Sequence, residues 1–200
     1  MRPLHSKRKR ITLNDAQLFI KKGIGGGMNF SDYLSDEERE NIIRDVSDDI
    51  LSIVKNNFPR TSNLEYAILK MHLIIEYSLT QFIRCSSYVL VDLDSIKFSF
   101  SHKLEIAILL GLGNGDPVLI PTLEILNRLR NQIAHTFNFN VNLIDEIIKL
   151  NSEYTKDDLN DRKRISHLRA ITNFLCGLIV GLLEAKIYMS SKDSSNSKTA

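Results

Sequence analysis

Apolar residues recur along this chain at spacings of three and four, and nowhere do they alternate with period two between turn residues, so an all-α fold is expected. A first helix is expected from Leu13 to Lys22. It ends at Gly23, and "GIGGGMNF" reads as a flexible connector. Ser35 and Glu38 form a capping box before a helix whose Ile42, Ile43, Val46, Ile50, Ile53 and Val54 make one stripe. That helix ends near "NNFP". From Asn63 to about Arg84 the positions Leu64, Ala67, Ile68, Met71, Ile75, Leu79 and Phe82 again keep helical spacing. Tyr88 to Phe100 is a connector with room for a short extended piece, and Ser101 to Leu110 forms a further helix that runs into the turn "GLGNGDP".

Pro121 is tolerated only near the first turn of a helix, so the next helix is expected from about Pro121 to His135. A linker with Asn138, Asn140 and Asn142 leads to a short helix around Leu143 to Leu150, and then to a long one from about Asp157 to Tyr188. The organisation that follows is a basic N-terminal segment with a short helix and glycine connector (1–34), a helical domain (35–190, core about 61–188), and a disordered serine-rich tail (191–200).

Composition narrows the function classes. A formal net charge of +2 is too small for a general nucleic-acid-binding surface, so any phosphate recognition has to be local. Cys85 and Cys176 are isolated thiols with neither a CxxC nor a zinc spacing, which favours a reducing compartment such as the cytosol. The basic start "MRPLHSKRKR" is not followed by the apolar run of a signal peptide. The uncharged run Ala170 to Leu183 is shorter than the ~20 residues that span a bilayer, and reads as a buried helix. The glycines at 23–27 lack the preceding strand and following Gly-Lys-Ser/Thr of a phosphate loop. No G-x-S-x-G elbow, HExxH or paired catalytic carboxylates are present.

Within "NRLRNQIAHTFNF" (Asn127 to Phe139), Arg130 and His135 stand out from an otherwise apolar-striped helix. On a straight helix the two point about 140° apart and lie ~7.5 Å apart along the axis, so they do not share a face. Asn131 and His135, four apart, do share one, while Leu126, Leu129 and Ile133 supply the core stripe. Either the guanidinium curls round toward the imidazole, or a second chain brings a matching pair. Arginine offers a planar fork of donors to a phosphate, and histidine gives or takes a proton near neutral pH. Together they suit cleavage of RNA by its own 2′-hydroxyl, which needs only proton transfer and stabilisation of extra negative charge. No metal or other cofactor is then called for.

Arg, Asn directly after it, and Ala-His closing the hexapeptide coincide by chance in roughly one such chain in a thousand. The hexapeptide "RNQIAH" (Arg130 to His135), late in a helix of an all-α domain, resembles the R-N-x-x-x-H signature of the HEPN (higher eukaryotes and prokaryotes nucleotide-binding) superfamily. The resemblance extends more loosely over about Thr61 to Tyr188, through "LIIEYSLTQFI", "SFSHKLEIAILLGL" and the motif helix "IPTLEILNRLRNQIAH". It implies a HEPN-like helical bundle, here with an N-terminal helical extension. Many such proteins are metal-independent ribonucleases of toxin, antiphage and RNA-processing systems, acting as dimers whose two motifs line one cleft. Others are catalytically silent modules that bind nucleotide, RNA or protein. Carried over, the family roles make Arg130 the group that binds the scissile phosphate, His135 the proton-transfer group, and Asn131 the residue that orients His135 or substrate. The implied partners are RNA, a second copy of the chain, and an antitoxin or defence-system protein; no membrane is involved. In one toxin branch a tyrosine two positions after the histidine is a modification target. That position is Phe137 here, so the target hydroxyl is missing.

Other polar positions have plainer expectations. Glu76 reads as an ordinary solvated residue, with partnership to Arg130 as the alternative. His72, His102 and His167 read as structural or exposed; His102 with Lys103 is the weak candidate for an RNA-binding rim. "HSKRKR" and "DRKR" (Asp161 to Arg164) read as solvated charge, and Phe137 and Phe139 as packing residues rather than stacking platforms for bases.

Overall fold

The computed structural model describes residues 35–87, 96–136, 138–152 and 159–196, with side chains described as far as Tyr188. The expected first helix and the glycine connector lie outside these residues, as do Phe137 and much of the connector after Ser87. Six helices follow one another among the described residues: α1 (Asp36–Asn57), α2 (Leu64–Ser86), α3 (Phe100–Leu109), α4 (Leu119–His135), α5 (Asn142–Asn151) and α6 (Asp161–Asn196). No strand occurs among the described residues, and the fold is an all-α bundle.

The first three helices begin where the N-cap side chain accepts from a free N–H of the first turn. At α1 the Ser35 hydroxyl accepts from the Glu38 N–H, and the Glu38 carboxylate accepts from the Ser35 N–H at 2.9 Å, the reciprocal capping box expected from the sequence. The Asn63 side chain accepts from the Tyr66 N–H at the head of α2, and Ser99 caps α3 through the His102 N–H.

The second helix is the hub, packing against α1, α3, α4 and α6. Its Ala67, Ile68, Met71, Ile75, Leu79 and Phe82 have no exposed surface, and burial of each large side chain stabilises the bundle by roughly 2 kcal/mol. Ile42, Ile43, Val46, Ile50 and Val54 of α1 meet α2 and α6 with the stripe read from the sequence. Tyr77 of α2 also donates to the Asp49 carboxylate of α1. Burial pushes the Tyr77 hydroxyl up to about 12, and Asp49 acts in the same direction.

The long helix α6 corrects two expected boundaries. It begins at Asp161 rather than near Asp157, and its backbone continues to Asn196, into the serine-rich end expected to be disordered. The chain from Leu182 to Ala200 contains neither glycine nor proline, so nothing in it stops a helix at Tyr188. By length and composition alone, the part Asp161–Tyr188 is long and apolar enough to cross a membrane. In the bundle its Leu168, Leu175, Cys176, Ile179 and Leu183 are fully buried.

The turn between α3 and α4 places Gly111, Gly113 and Gly115 at positive φ. At Gly113 the requirement is steric as well, because a Cβ there would stand 2.8 Å from Ile120 Cγ1. Lys186 of α6 fastens this turn by donating to the Leu110 carbonyl at 2.6 Å. The start of α4 lies two residues before the expected Pro121, since the Asp116 carboxylate accepts from the N–H groups of Val118 and Leu119, both at 2.8 Å. Pro121 then sits in the first turn, where its missing N–H costs nothing. Leu119, Leu123, Leu126 and Leu129 form the buried stripe of α4, and Asn151 of α5 donates to the buried Thr122 hydroxyl at 2.9 Å.

Truncating this stripe is expected to be costly. Leu129→Ala should lower the unfolding free energy by ~2–5 kcal/mol, and the exposed Glu124→Ala should change it by less than about 0.5 kcal/mol, both read from urea denaturation midpoints.

Candidate functional site

With Leu126 and Leu129 packed inward, the remaining faces of α4 are set. Arg130 is half-buried, Asn131 is exposed, and His135 is exposed as the last helical residue. The Arg130 guanidinium donates from Nη1 to the Asn131 side-chain oxygen at 3.2 Å. Asn131 is thereby bonded to Arg130, rather than to His135 as the shared face had suggested. No hydrogen bond or ion pair joins Arg130 to His135 among the described residues, and the divergence expected from helix geometry persists.

The end of α4 is built to hold its last turn. Thr136 caps it through its N–H to the Gln132 carbonyl at 2.8 Å, and its hydroxyl reaches the carbonyls of Gln132 and Asn138. The Gln132 side chain accepts from the Asn140 N–H at 3.0 Å and ties the following segment back to the helix. Phe139 packs against the core, in keeping with the packing role expected for it.

A polar cluster contributed by three helices gathers around His72, and Arg130 is among the charges that act on it. His72 of α2 is 4% exposed and faces the Phe100 ring of α3, with ring centroids 4.4 Å apart. One turn on, Glu76 places Oε2 3.8 Å from His72 Nδ1, and its other oxygen accepts from the Lys103 ammonium of α3 at 2.8 Å. Asn127 of α4, three residues before Arg130 and on the same side of the helix, donates to the Ser101 hydroxyl at 3.0 Å. Burial holds the His72 imidazole below its ordinary pKa. Arg130 and Lys103 lower it further, while Glu76 and the neighbouring Asn127 side chain pull the other way. His72 Nε2 is buried and makes no hydrogen bond of ordinary geometry.

Several expectations change here. Glu76 is not a solvated residue; it is half-buried and ion-paired, because Lys103 reaches it across the α2–α3 contact. Lys103 is correspondingly engaged with Glu76 rather than free on a rim, whereas His102 is exposed and touches Phe98 edge-on at 6.4 Å. His72 was not expected at a functional site. Its sequence signal is the i, i+4 pairing with Glu76 beside the buried Met71 and Ile75, though its link to α4 depends on tertiary packing. In "DRKR", Arg164 is drawn out of solvent by a two-pronged ion pair with Asp145, at 2.8 and 3.0 Å, while Asp161, Arg162 and Lys163 are exposed.

Burial pushes the Cys85 thiol up to about 12 and the Cys176 thiol up to about 11, so both are protonated at neutral pH and neither is an activated nucleophile. Among the described residues no group of three or more His, Cys, Asp or Glu side chains could hold a metal ion. Comparison of the chain with protein-family models, with curated proteins and with solved structures finds no match.

The state of His72 has a consequence for stability. Its folded pKa lies below its unfolded value of 6.5, so the unfolded chain binds the proton first as the pH falls. The contribution is fully present above pH 6.5 and is lost below it, until the folded pKa is passed. Unfolding free energies measured between pH 7.5 and 5 should therefore fall more steeply for wild type than for His72→Gln, by up to about 1.4 kcal/mol per pH unit. Parallel profiles for the two proteins would contradict a neutral, buried His72.

Proposed function

We propose that this chain is a HEPN-type endoribonuclease that cleaves RNA by attack of the 2′-hydroxyl on the adjacent phosphodiester, without a metal cofactor. The observation that carries this is the placement of "RNQIAH" over the final turns of α4. A charged fork leaves the bundle there on one side and an exposed imidazole ends the helix on the other. Arg130 binds the scissile phosphate and the charge that develops on it, while its bond to Asn131 orients the fork. His135 exchanges the proton of the attacking hydroxyl or of the leaving oxygen.

Because Arg130 and His135 of one chain face apart, the complete site is assembled from two chains whose motif helices face one another in a symmetric dimer. Such an enzyme suits a cytosolic toxin or antiphage effector that is held in check by an antitoxin or defence-system partner. A second reading, a catalytically silent HEPN-like module that binds nucleotide, RNA or protein, is favoured by the same separation if no second chain completes the site. The small net charge of +2 favours it too.

Arg130→Ala and His135→Ala should each reduce RNA cleavage by about 100-fold or more while leaving the helical circular dichroism spectrum intact. EDTA should not inhibit wild type, and the 5′ product should end in a 2′,3′-cyclic phosphate. Cleavage of a substrate with deoxyribose at the scissile position, or strict dependence on added magnesium, would contradict the mechanism. Sedimentation at micromolar concentration should show a dimer; an RNase-active monomer would contradict the shared site. Absence of cleavage by clean dimer on any RNA would favour the silent module.

A further inference from the structure

One side of α6 is uncovered among the described residues. Leu168, Leu175, Cys176, Ile179 and Leu183 face the bundle, while Ala170, Phe174, Gly177, Gly181 and Ala185 are exposed, Phe174 at 49%, with Tyr188 beyond them at 62%. No charged residue interrupts the helix between Arg169 and Glu184. A Cβ at Gly177 or Gly181 would meet nothing within 4 Å, so the bundle itself requires a glycine at neither place. Both weaken the interior of a helix relative to alanine, and glycine belongs where another segment comes close.

The way the chain enters α1 says which segment that is. Arg169 of α6 donates to the Pro59 carbonyl at 2.9 Å, and its guanidinium lies 5.3 Å from the centre of the Phe58 ring, so the end of α1 stands beside Arg169. From there α1 runs back along α6 for ~33 Å, which sets its first residues level with about residue 190 of α6. The chain before Ser35 therefore arrives at the Tyr188 end of the uncovered face. That face is ~27 Å long from Ala170 to Tyr188, and the connector from Gly23 to Leu34 reaches up to ~40 Å when extended. The helix expected from Leu13 to Lys22 is thus within reach of all of it. Leu13, Ala16 and Ile20 recur there at three and four, the spacing of one apolar stripe.

We propose that the segment Leu13 to Leu34 of the same chain covers this face, with the Leu13–Ile20 stripe laid across Phe174, Gly177 and Gly181. Entering at the Tyr188 end, the segment runs in the direction of α6. Lys21 and Lys22 then fall at the end where Glu184 stands, exposed and unpaired among the described residues. A tethered segment meets the face at an effective concentration on the order of millimolar, an advantage that a second chain at micromolar concentration lacks.

The test uses the full chain with benzoylphenylalanine in place of Phe174, irradiated as a mixture of isotope-labelled and unlabelled protein, with cross-linked peptides identified by mass spectrometry. The expected adduct joins position 174 to residues 13–34 of the same chain. Ile20→Asp and Gly181→Leu should each abolish it and leave the helical circular dichroism spectrum unchanged, since Ile20 lies outside the six helices and a side chain at position 181 meets open space in the bundle. Adducts joining labelled to unlabelled chains would make the face a self-association surface and overturn the proposal. Absence of any protein adduct would overturn it too, whether or not lipid adducts appear once phosphatidylcholine vesicles are added. An adduct that survives both substitutions would contradict the packing of the stripe on the glycines.

Discussion

The buried leucine stripe of α4 fixes the rotation of that helix, and with it the direction of every polar side chain the helix carries. Leu119, Leu123, Leu126 and Leu129 have no exposed surface, and turning the helix would bring leucines into water without narrowing the ~140° that five residues of helix put between Arg130 and His135. At roughly 2 kcal/mol for each large apolar side chain, that penalty holds the helix in its observed rotation. A single chain therefore presents the two groups on diverging faces. On the proposed mechanism this is why a second chain is needed: helix periodicity separates the two groups, the core fixes where each one points, and symmetry brings a matching pair.

The same packing brings α4 against α2 and α3, whose Glu76 and Lys103 are joined by an ion pair. A buried ammonium or carboxylate without a partner would be expensive, and the Glu76–Lys103 pair removes that difficulty for both. His72 avoids it by remaining neutral. Arg130, the group proposed to meet substrate, bonds only the Asn131 oxygen among the described residues. On the proposed mechanism the fork keeps one donor on the Asn131 oxygen and has others left for substrate oxygens.

Much of this fold was legible in the sequence, and the reasons differ by element. Capping at Ser35, Asn63 and Asp116 depends on residues within three positions, so α1, α2 and α4 begin where local chemistry places them or within two residues of it. The end of α6 is not legible from composition, because a serine-rich segment reads as a stop even though it holds no glycine or proline and the helix runs on to Asn196. The motif could be read because its parts lie within six residues. Its surroundings could not, because Glu76 and Lys103 are 27 positions apart and meet only once α2 and α3 pack. His72 shows the same limit: its spacing to Glu76 is local, but Phe100, Asn127 and Arg130 come from two other helices.

The most direct measurement of the central idea is a titration of isotope-labelled protein with an RNA whose scissile 2′-hydroxyl is replaced by hydrogen, so that it binds but cannot react. The account predicts saturable changes at the Arg130 Nε–H and His135 imidazole resonances, with the same dissociation constant at both, and loss of the His135 change when Arg130 is replaced by alanine. Saturable RNA binding that leaves both side chains undisturbed and maps to another face of the bundle would contradict it.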